Sequence, residues 1–372
     1  MQITVEIIEN LTIRNNCYHV PGNVSVAIER CLENDNISAI TSEYERLLAE
    51  FNRFVELFEP ARIEYQGALT LDAYTANYLC RNMFIPSIAL RDLAYHPQFQ
   101  DLPASLKVLD LGSGTGAVTL GLLSMFSISP LSSVSINITA VDSCAEALAR
   151  QRSIINESSY DSSKVEFQEI DICNTDDCIN VVQGSGPYHL VFSANCFTEM
   201  PHENSRELIA RLPEVLHENG AIIIAEPPRD YTLWLIKALA KNSRDMGLYV
   251  YYPCPAPECH HTWKDICWVW RYHEYEVSDI MVNGQPLEHP REELAAGWLI
   301  LTKQNISIYD TFKERRPDLS WGPISKDYES ARLVCCGDRT IYFTDDSLSC
   351  VYRRGHFVGI SDEGVVEEHY KI

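Results

Sequence analysis

Through the middle of the chain, short apolar runs alternate with longer segments whose apolar positions recur at helical spacing. Residues 108–116 read Val-Leu-Asp-Leu-Gly-Ser-Gly-Thr-Gly, an apolar run that passes an acid and opens into three alternating glycines. Residues 136–141 form a second run ending at Asp142. Residues 165–170 form a third ending at Asp171, residues 188–193 a fourth, and residues 221–226 a fifth behind the Asn219-Gly220 pair. Runs this short and this continuously apolar predict strands buried on both faces. The spacing between them predicts helices over 116–126, 144–157, 203–216 and 230–245. Strands 268–276 and 297–303 complete the set. Alternating strands and helices predict a largely parallel sheet, an α/β fold of Rossmann-like type.

The flanks read differently. Residues 1–8 alternate enough for a short strand. Residues 42–58 place apolar side chains at 47, 48, 51, 54, 55 and 58, one helical face, with Thr41 or Ser42 as N-cap and Pro60 as the stop. Residues 71–95 predict one or two helices interrupted near Pro86. Beyond residue 330, apolar runs at 331–335, 340–344, 349–353 and 356–360 are separated by Gly, Asp and Ser, the pattern of an antiparallel module. The expected organisation is a mainly helical cap over 1–100, a sheet domain over 101–305 with a Cys-rich insertion at 251–270, and a small β-module over 306–372.

The glycine loop carries the first chemistry. Gly112, Gly114 and Ala117 nominally satisfy a dinucleotide fingerprint. Asp110, two residues ahead of the first glycine, and the G-x-G-x-G spacing through Gly116 point elsewhere. The stretch resembles motif I of the class I S-adenosylmethionine (SAM) methyltransferases. That resemblance implies a Rossmann-like class I methyltransferase sheet carrying the N-terminal helical cap and the C-terminal β-module. Asp110 is then expected to attract the methionine ammonium, and the backbone of Gly112, Ser113, Gly114 and Gly116 to hold its carboxylate. Asp142, with Ser143 beside it, can accept both ribose hydroxyls. The resemblance further gives Asp171 the adenine amino group, Ile172 the face of the ring, and Asn195 a place at the cofactor.

Composition narrows the partners. The net charge is −22, spread along the chain, and the first lysine is Lys107. A protein that grips bare nucleic acid through its phosphates needs a Lys/Arg face, and no such stretch stands out. No segment is long and apolar enough to cross a bilayer. The start Met-Gln-Ile-Thr-Val-Glu lacks the marks of a signal peptide, so a cytoplasmic protein is expected. In that setting most of the 13 cysteines are expected to be buried thiols.

One cysteine group stands apart. Cys254, Cys259 and Cys267 follow a C-x4-C-x7-C spacing in a Pro-rich stretch, suited to a soft metal. A tetrahedral site needs a fourth ligand, for which Cys335, Cys336, His260, His261 and His273 are candidates. The glycine loop, Ser193–Pro201, Ala225-Glu-Pro-Pro228 and this Cys run together resemble the mitochondrial small-subunit ribosomal methyltransferase-like family over residues 75–345. That resemblance implies a four-cysteine [4Fe–4S] cluster on Cys254, Cys259, Cys267 and Cys335, and a role at the small ribosomal subunit. Zinc and unligated thiols stay open, and the acidic surface departs from an RNA-binding relative.

For the reaction, the loop after strand four gathers Asn195, Glu199 and His202. Glu199 is the candidate base or substrate-orienting acid, and its other reading is a carboxylate stabilising a helix start. Glu226 is a second candidate. Three functions remain: a methyltransferase linked to the small ribosomal subunit or its RNA, a small-molecule methyltransferase, and a SAM-binding assembly factor without catalysis. The methyl acceptor is not legible.

Overall fold

The computed structural model describes residues 1–14, 17–61, 63–65, 67–253, 271–276, 280–282, 285–287, 293–315, 320–328, 331–335, 340–343, 357–360 and 366–368. The chain opens with helix α1 (Val5–Thr12) where a strand is predicted. Thr4 decides this: its hydroxyl accepts the Ile7 N–H at 3.2 Å and its carbonyl accepts that of Ile8. Strands β1 (Ile13–Arg14) and β2 (Cys17–His19) follow, then α2 (Gly22–Cys31) and α3 (Ile37–Glu56). The cap of α3 is Asn36, whose side chain accepts the Ala39 N–H, so the helix begins before the predicted Thr41 or Ser42. Helix α4 (Ala68–Tyr74) runs into a π turn, Thr75–Leu79, and on into α5 (Cys80–Asn82). Pro86 falls in the first turn of α6 (Ile85–Leu93), where its missing N–H costs nothing.

The alternating part then begins: β3 (Ser105–Leu111), α7 (Ala117–Phe126), β4 (Ser135–Asp142), α8 (Ala145–Glu157), β5 (Val165–Glu169), α9 (Thr175–Gln183) and β6 (Tyr188–Ala194). After them come α10 (His202–Arg211), β7 (Leu216–Glu226), α11 (Asp230–Asn242) and β8 (Tyr249–Tyr252). Helix α10 ends at Arg211, short of the predicted 216, because Pro213 tightens the chain into a 3-10 turn, Leu212–Glu214. Asn219-Gly220 does not precede the fifth strand but lies within it. Tyr188 pairs with Leu216 and Leu190 with Ala221, so His217–Gly220 bulge out of β7.

The remaining strands are β9 (Arg271–Glu276), β10 (Met281–Val282), β11 (Gln285–Pro286) and β12 (Glu293–Thr302). The main sheet is 10-stranded. Its parallel centre runs β5-β4-β3-β6-β7, β12 adds antiparallel to β7, and β8 and β9 both pair with the outer edge of β12. Helix α12 (Ile308–Arg315) leads to a separate antiparallel sheet of β13 (Ser320–Tyr328), β14 (Ala331–Cys335), β15 (Thr340–Phe343), β16 (Phe357–Ile360) and β17 (Val366–Glu368). Three of the four predicted apolar runs there are strands, and 349–353 lies outside the described residues. The fold class is therefore α/β and Rossmann-like, with helices on both faces of a mostly parallel sheet.

The strands read as continuous apolar runs because both faces are covered. Ile222 and Ile224 pack with α9, α10 and α11, while Ala221, Ile223 and Ala225 face a core shared with the N-terminal helices. A buried ion pair ties that helical segment to the sheet domain. Arg150 of α8 bonds Asp72 of α4 and also Glu33, and Asp72 accepts the backbone N–H groups of Glu33 and Asn34. Among the described residues, Cys80 and Cys178 are buried but Cys31, Cys144, Cys173 and Cys196 are half-buried, so the expectation of mostly buried thiols does not hold for them. No helix of the described residues is long and apolar enough to cross a membrane.

Candidate active site

At the end of β3 the chain turns through Gly112, Gly114 and Gly116, with φ of +65°, +53° and +99°. The loop is fastened from both sides. Ser113 N–H donates to the Val141 carbonyl at 2.9 Å, and Gly114 N–H to Asp142 Oδ2 at 2.8 Å. A Cβ at Gly112 would stand 2.4 Å from Cys196 Sγ, and one at Gly116 would stand 2.5 Å from Gln151 Cγ. Close packing and left-handed backbone together require glycine at both positions.

The predicted acids divide by environment. Asp110 is buried and accepts the Thr119 hydroxyl at 2.7 Å. Burial, reinforced by Asp142, pushes its carboxyl up to about 7 against the pull of Thr119. Asp142 uses one oxygen for Gly114 N–H and the other for Cys144 N–H, both at 2.8 Å, while Ser143 is exposed beside it. Each oxygen keeps a lone pair for a further donor. Burial raises Asp142 too, opposed by those N–H groups. Asp171 is exposed in the turn after β5, accepting Cys173 N–H at 2.9 Å, and Ile172 is buried at the same corner. Ile170 N–H donates to the Asp142 carbonyl, which fixes this outer corner against β4.

Asp110, Gly112, Ser113 and Asn195 line one cleft with Tyr74 and Tyr78. The structure brings these four expected residues together, and sequence reasoning missed both tyrosines. They come from α4 and its π turn, a distortion often found at functional sites. Their i, i+4 spacing in a segment expected to be a cap was the available signal. Asn195 holds a left-handed φ of +56° and donates its N–H to the Ala225 carbonyl.

Glu226 is not free to act as a base. One oxygen accepts Cys196 and Phe197 N–H at 3.0 and 2.8 Å, and the other accepts Thr198 N–H and hydroxyl at 3.1 and 2.6 Å. Fully buried, it fixes the loop after β6 and so positions Glu199. The acid in the first turn of α10 is Glu203; Glu199 lies ahead of Pro201, in the 3-10 turn Phe197–Glu199, as the acid of that turn. It accepts the Tyr65 hydroxyl at 2.6 Å. Burial, then Glu226 and Asp142, push it up to about 8 against that bond. Tyr65 is another residue the sequence did not disclose. His202 rests its ring against Trp234, 4.6 Å between centroids.

Cys254, Cys259 and Cys267, with Cys336, His260 and His261, lie outside the described residues. Of Cys335 and His273 the structure gives the backbone only, in β14 and β9. Among the described residues no group of three or more His, Cys, Asp or Glu side chains is placed to hold a metal.

Residues 102–277 match the family model described as a methyltransferase domain. Several solved structures are similar. An O-methyltransferase family protein from Burkholderia thailandensis is 14% identical, with 73% of this chain and 72% of that one covered and a TM-score of 0.41. The magnesium protoporphyrin IX methyltransferase of Synechocystis PCC 6803 with bound SAH is 12% identical, with 69% and 94% covered and a TM-score of 0.35. PKMT2 from Rickettsia typhi is 19% identical with a TM-score of 0.30; the match covers 43% of this chain but spans only 29% of that protein. No curated protein sequence matches the chain.

Proposed function

We propose that the protein transfers a methyl group from SAM to an acceptor held between the glycine loop and Glu199. The observation that carries this is one cleft lined by Asp110, Gly112, Ser113, Asn195 and Tyr74, with Tyr65 packed on Tyr74 and bonded to Glu199. The acids fit the cofactor. Asp110 suits an ammonium and the open lone pairs of Asp142 two ribose hydroxyls, whereas the N–H groups of Ser113, Gly114 and Gly116, expected to hold the carboxylate, are already given to Val141, Asp142 and Ser113. Asp171, exposed after β5, and the neighbouring Ile172 offer a carboxylate and an apolar side chain of the kinds an adenine ring needs. Bound SAM supplies a methyl group already activated on a sulfonium, so the protein's task is chiefly alignment. Tyr74 excludes water from above the loop. Glu199 takes the acceptor's proton at its carboxylate, and Tyr65 orients that carboxylate.

The test has two stages. Calorimetry of S-adenosylhomocysteine (SAH) binding to the wild-type chain comes first, and absence of binding overturns the cofactor reading. Incubation with methyl-labelled SAM and fractionated extract comes second. Labelled product that disappears in Glu199→Gln supports catalysis, and SAH binding without any transfer favours the assembly-factor reading.

The proposal extends to a thiolate-held metal or [4Fe–4S] cluster on Cys254, Cys259, Cys267 and Cys335, with the small ribosomal subunit as partner. What supports both is the sequence run and its family resemblance. Iron, sulfide and zinc analysis of anaerobically purified protein tests the site, and co-sedimentation with small subunits tests the partner.

A further inference from the structure

We infer that the acceptor subsite lies against the cluster of Tyr65, Tyr74 and Glu199 beside the cleft, and that it takes an amine. This rests on the methyltransferase reading and names its substrate class. Three observations converge. The first is position. Tyr74 approaches Gly114 from above, 3.8 Å from where a Cβ would stand, and its hydroxyl feels both Asp142 and Glu199. It therefore stands between the cofactor loop and the acid. Tyr65 meets it edge-on at 5.0 Å between centroids, and Tyr78 backs it at 5.1 Å.

The second is charge. The charged groups bearing on Glu199 are Glu226 and Asp142, both acids. The ion pairs of the described residues involve none of these three. Glu226 is quenched by four donors and Asp142 by the loop N–H groups. Glu199 has one neutral donor, Tyr65, and its other oxygen receives no hydrogen bond among the described residues. An acidic or phosphorylated acceptor would enter a field of its own sign. A hydroxyl acceptor would leave that field uncompensated.

The third is the walls. Aromatic ring faces carry negative potential and attract an ammonium, more strongly where water is excluded. Tyrosines around a carboxylate thus select a cation twice, by ring and by charge.

The proton count closes. A substrate ammonium gives one N–H proton to Glu199, whose proton affinity burial has already raised toward that of an amine. The freed nitrogen pair forms the N–C bond as the S–C bond breaks, and sulfur keeps its electron pair. Glu199 then returns its proton to solvent, one released per turnover.

Calorimetry on the SAH-loaded protein tests this with benzylamine, benzyl alcohol and benzoate as probes. Benzylamine is expected to bind at least about tenfold more tightly than either. Glu199→Gln should remove that preference while SAH affinity stays unchanged. Should that variant not fold, Tyr74→Phe against Tyr74→Leu reads the same wall: Phe keeps benzylamine affinity and Leu lowers it. Equal binding of the three probes, or an unaltered preference in Glu199→Gln or in Tyr74→Leu, overturns the amine subsite alone. Failure of the wild-type protein to bind SAH overturns the cofactor reading and this inference with it.

Discussion

The carboxylate of Asp142 holds the backbone N–H of Gly114 at 2.8 Å. The acid expected to take the ribose thus also shapes the loop expected to take the methionine end. Asp142→Ala should lower SAH affinity about 100-fold or more, since two charge-assisted bonds are lost at once. Calorimetry reads the affinity and far-UV circular dichroism the fold. Retained affinity would remove Asp142 from the cofactor site.

Glu226 predicts a different phenotype. Its four donors are left unpaired in Glu226→Ala, which should lose about 3 kcal/mol of stability or more. Urea unfolding measures it. Glu199→Gln, by contrast, should not destabilise the fold as Glu226→Ala does, because Glu199 receives a single hydrogen bond, while transfer is expected to be lost.

Gly112 faces Cys196 too closely for any side chain. Gly112→Ala should cost about 1–3 kcal/mol and weaken SAH binding. Adding Cys196→Gly removes the collision, so part of the stability should return, while the strain of a positive φ stays. A double variant no better than the single one would show that backbone strain alone is responsible.

Asp110 sets a pH dependence. Its native carboxyl is raised from the usual 3.8 to about 7, so between those limits the native state binds a proton that the unfolded chain has lost. Its contribution is fully present below about 4 and is lost as pH rises through about 7, up to roughly 4 kcal/mol. Asp110→Asn should flatten that part of the stability curve of the ligand-free protein, measured by urea midpoints across the range. An unchanged slope would assign it to other acids.

The cofactor half of the site was legible because it is local. An apolar run with an acid at its end is both a strand and the delivery of that acid, so Asp110 and Asp142 could be read off the period. Tyr65 and Glu199 lie far apart in sequence, and nothing local pairs them; only the path of the helical segment over the strand ends does. Helix α9 escaped because it buries only a short stripe, Cys178, Ile179 and Val182, behind an acidic first turn. The start of β7 escaped because a polar bulge interrupts its alternation. Glu226 was noticed as an acid at a strand end, but whether such an acid is free depends on the donors around it, which the sequence does not display.

Arg150 and Asp72 clasp each other in the interior, between α8 and α4. Asp72 lies two residues before Tyr74 on the same helix, and Arg150 is next to Gln151, which packs on Gly116. One buried contact therefore gauges the gap between the tyrosine wall and the glycine loop. The two halves of the site can drift apart in sequence while this clasp preserves the spacing between the tyrosine wall and the glycine loop.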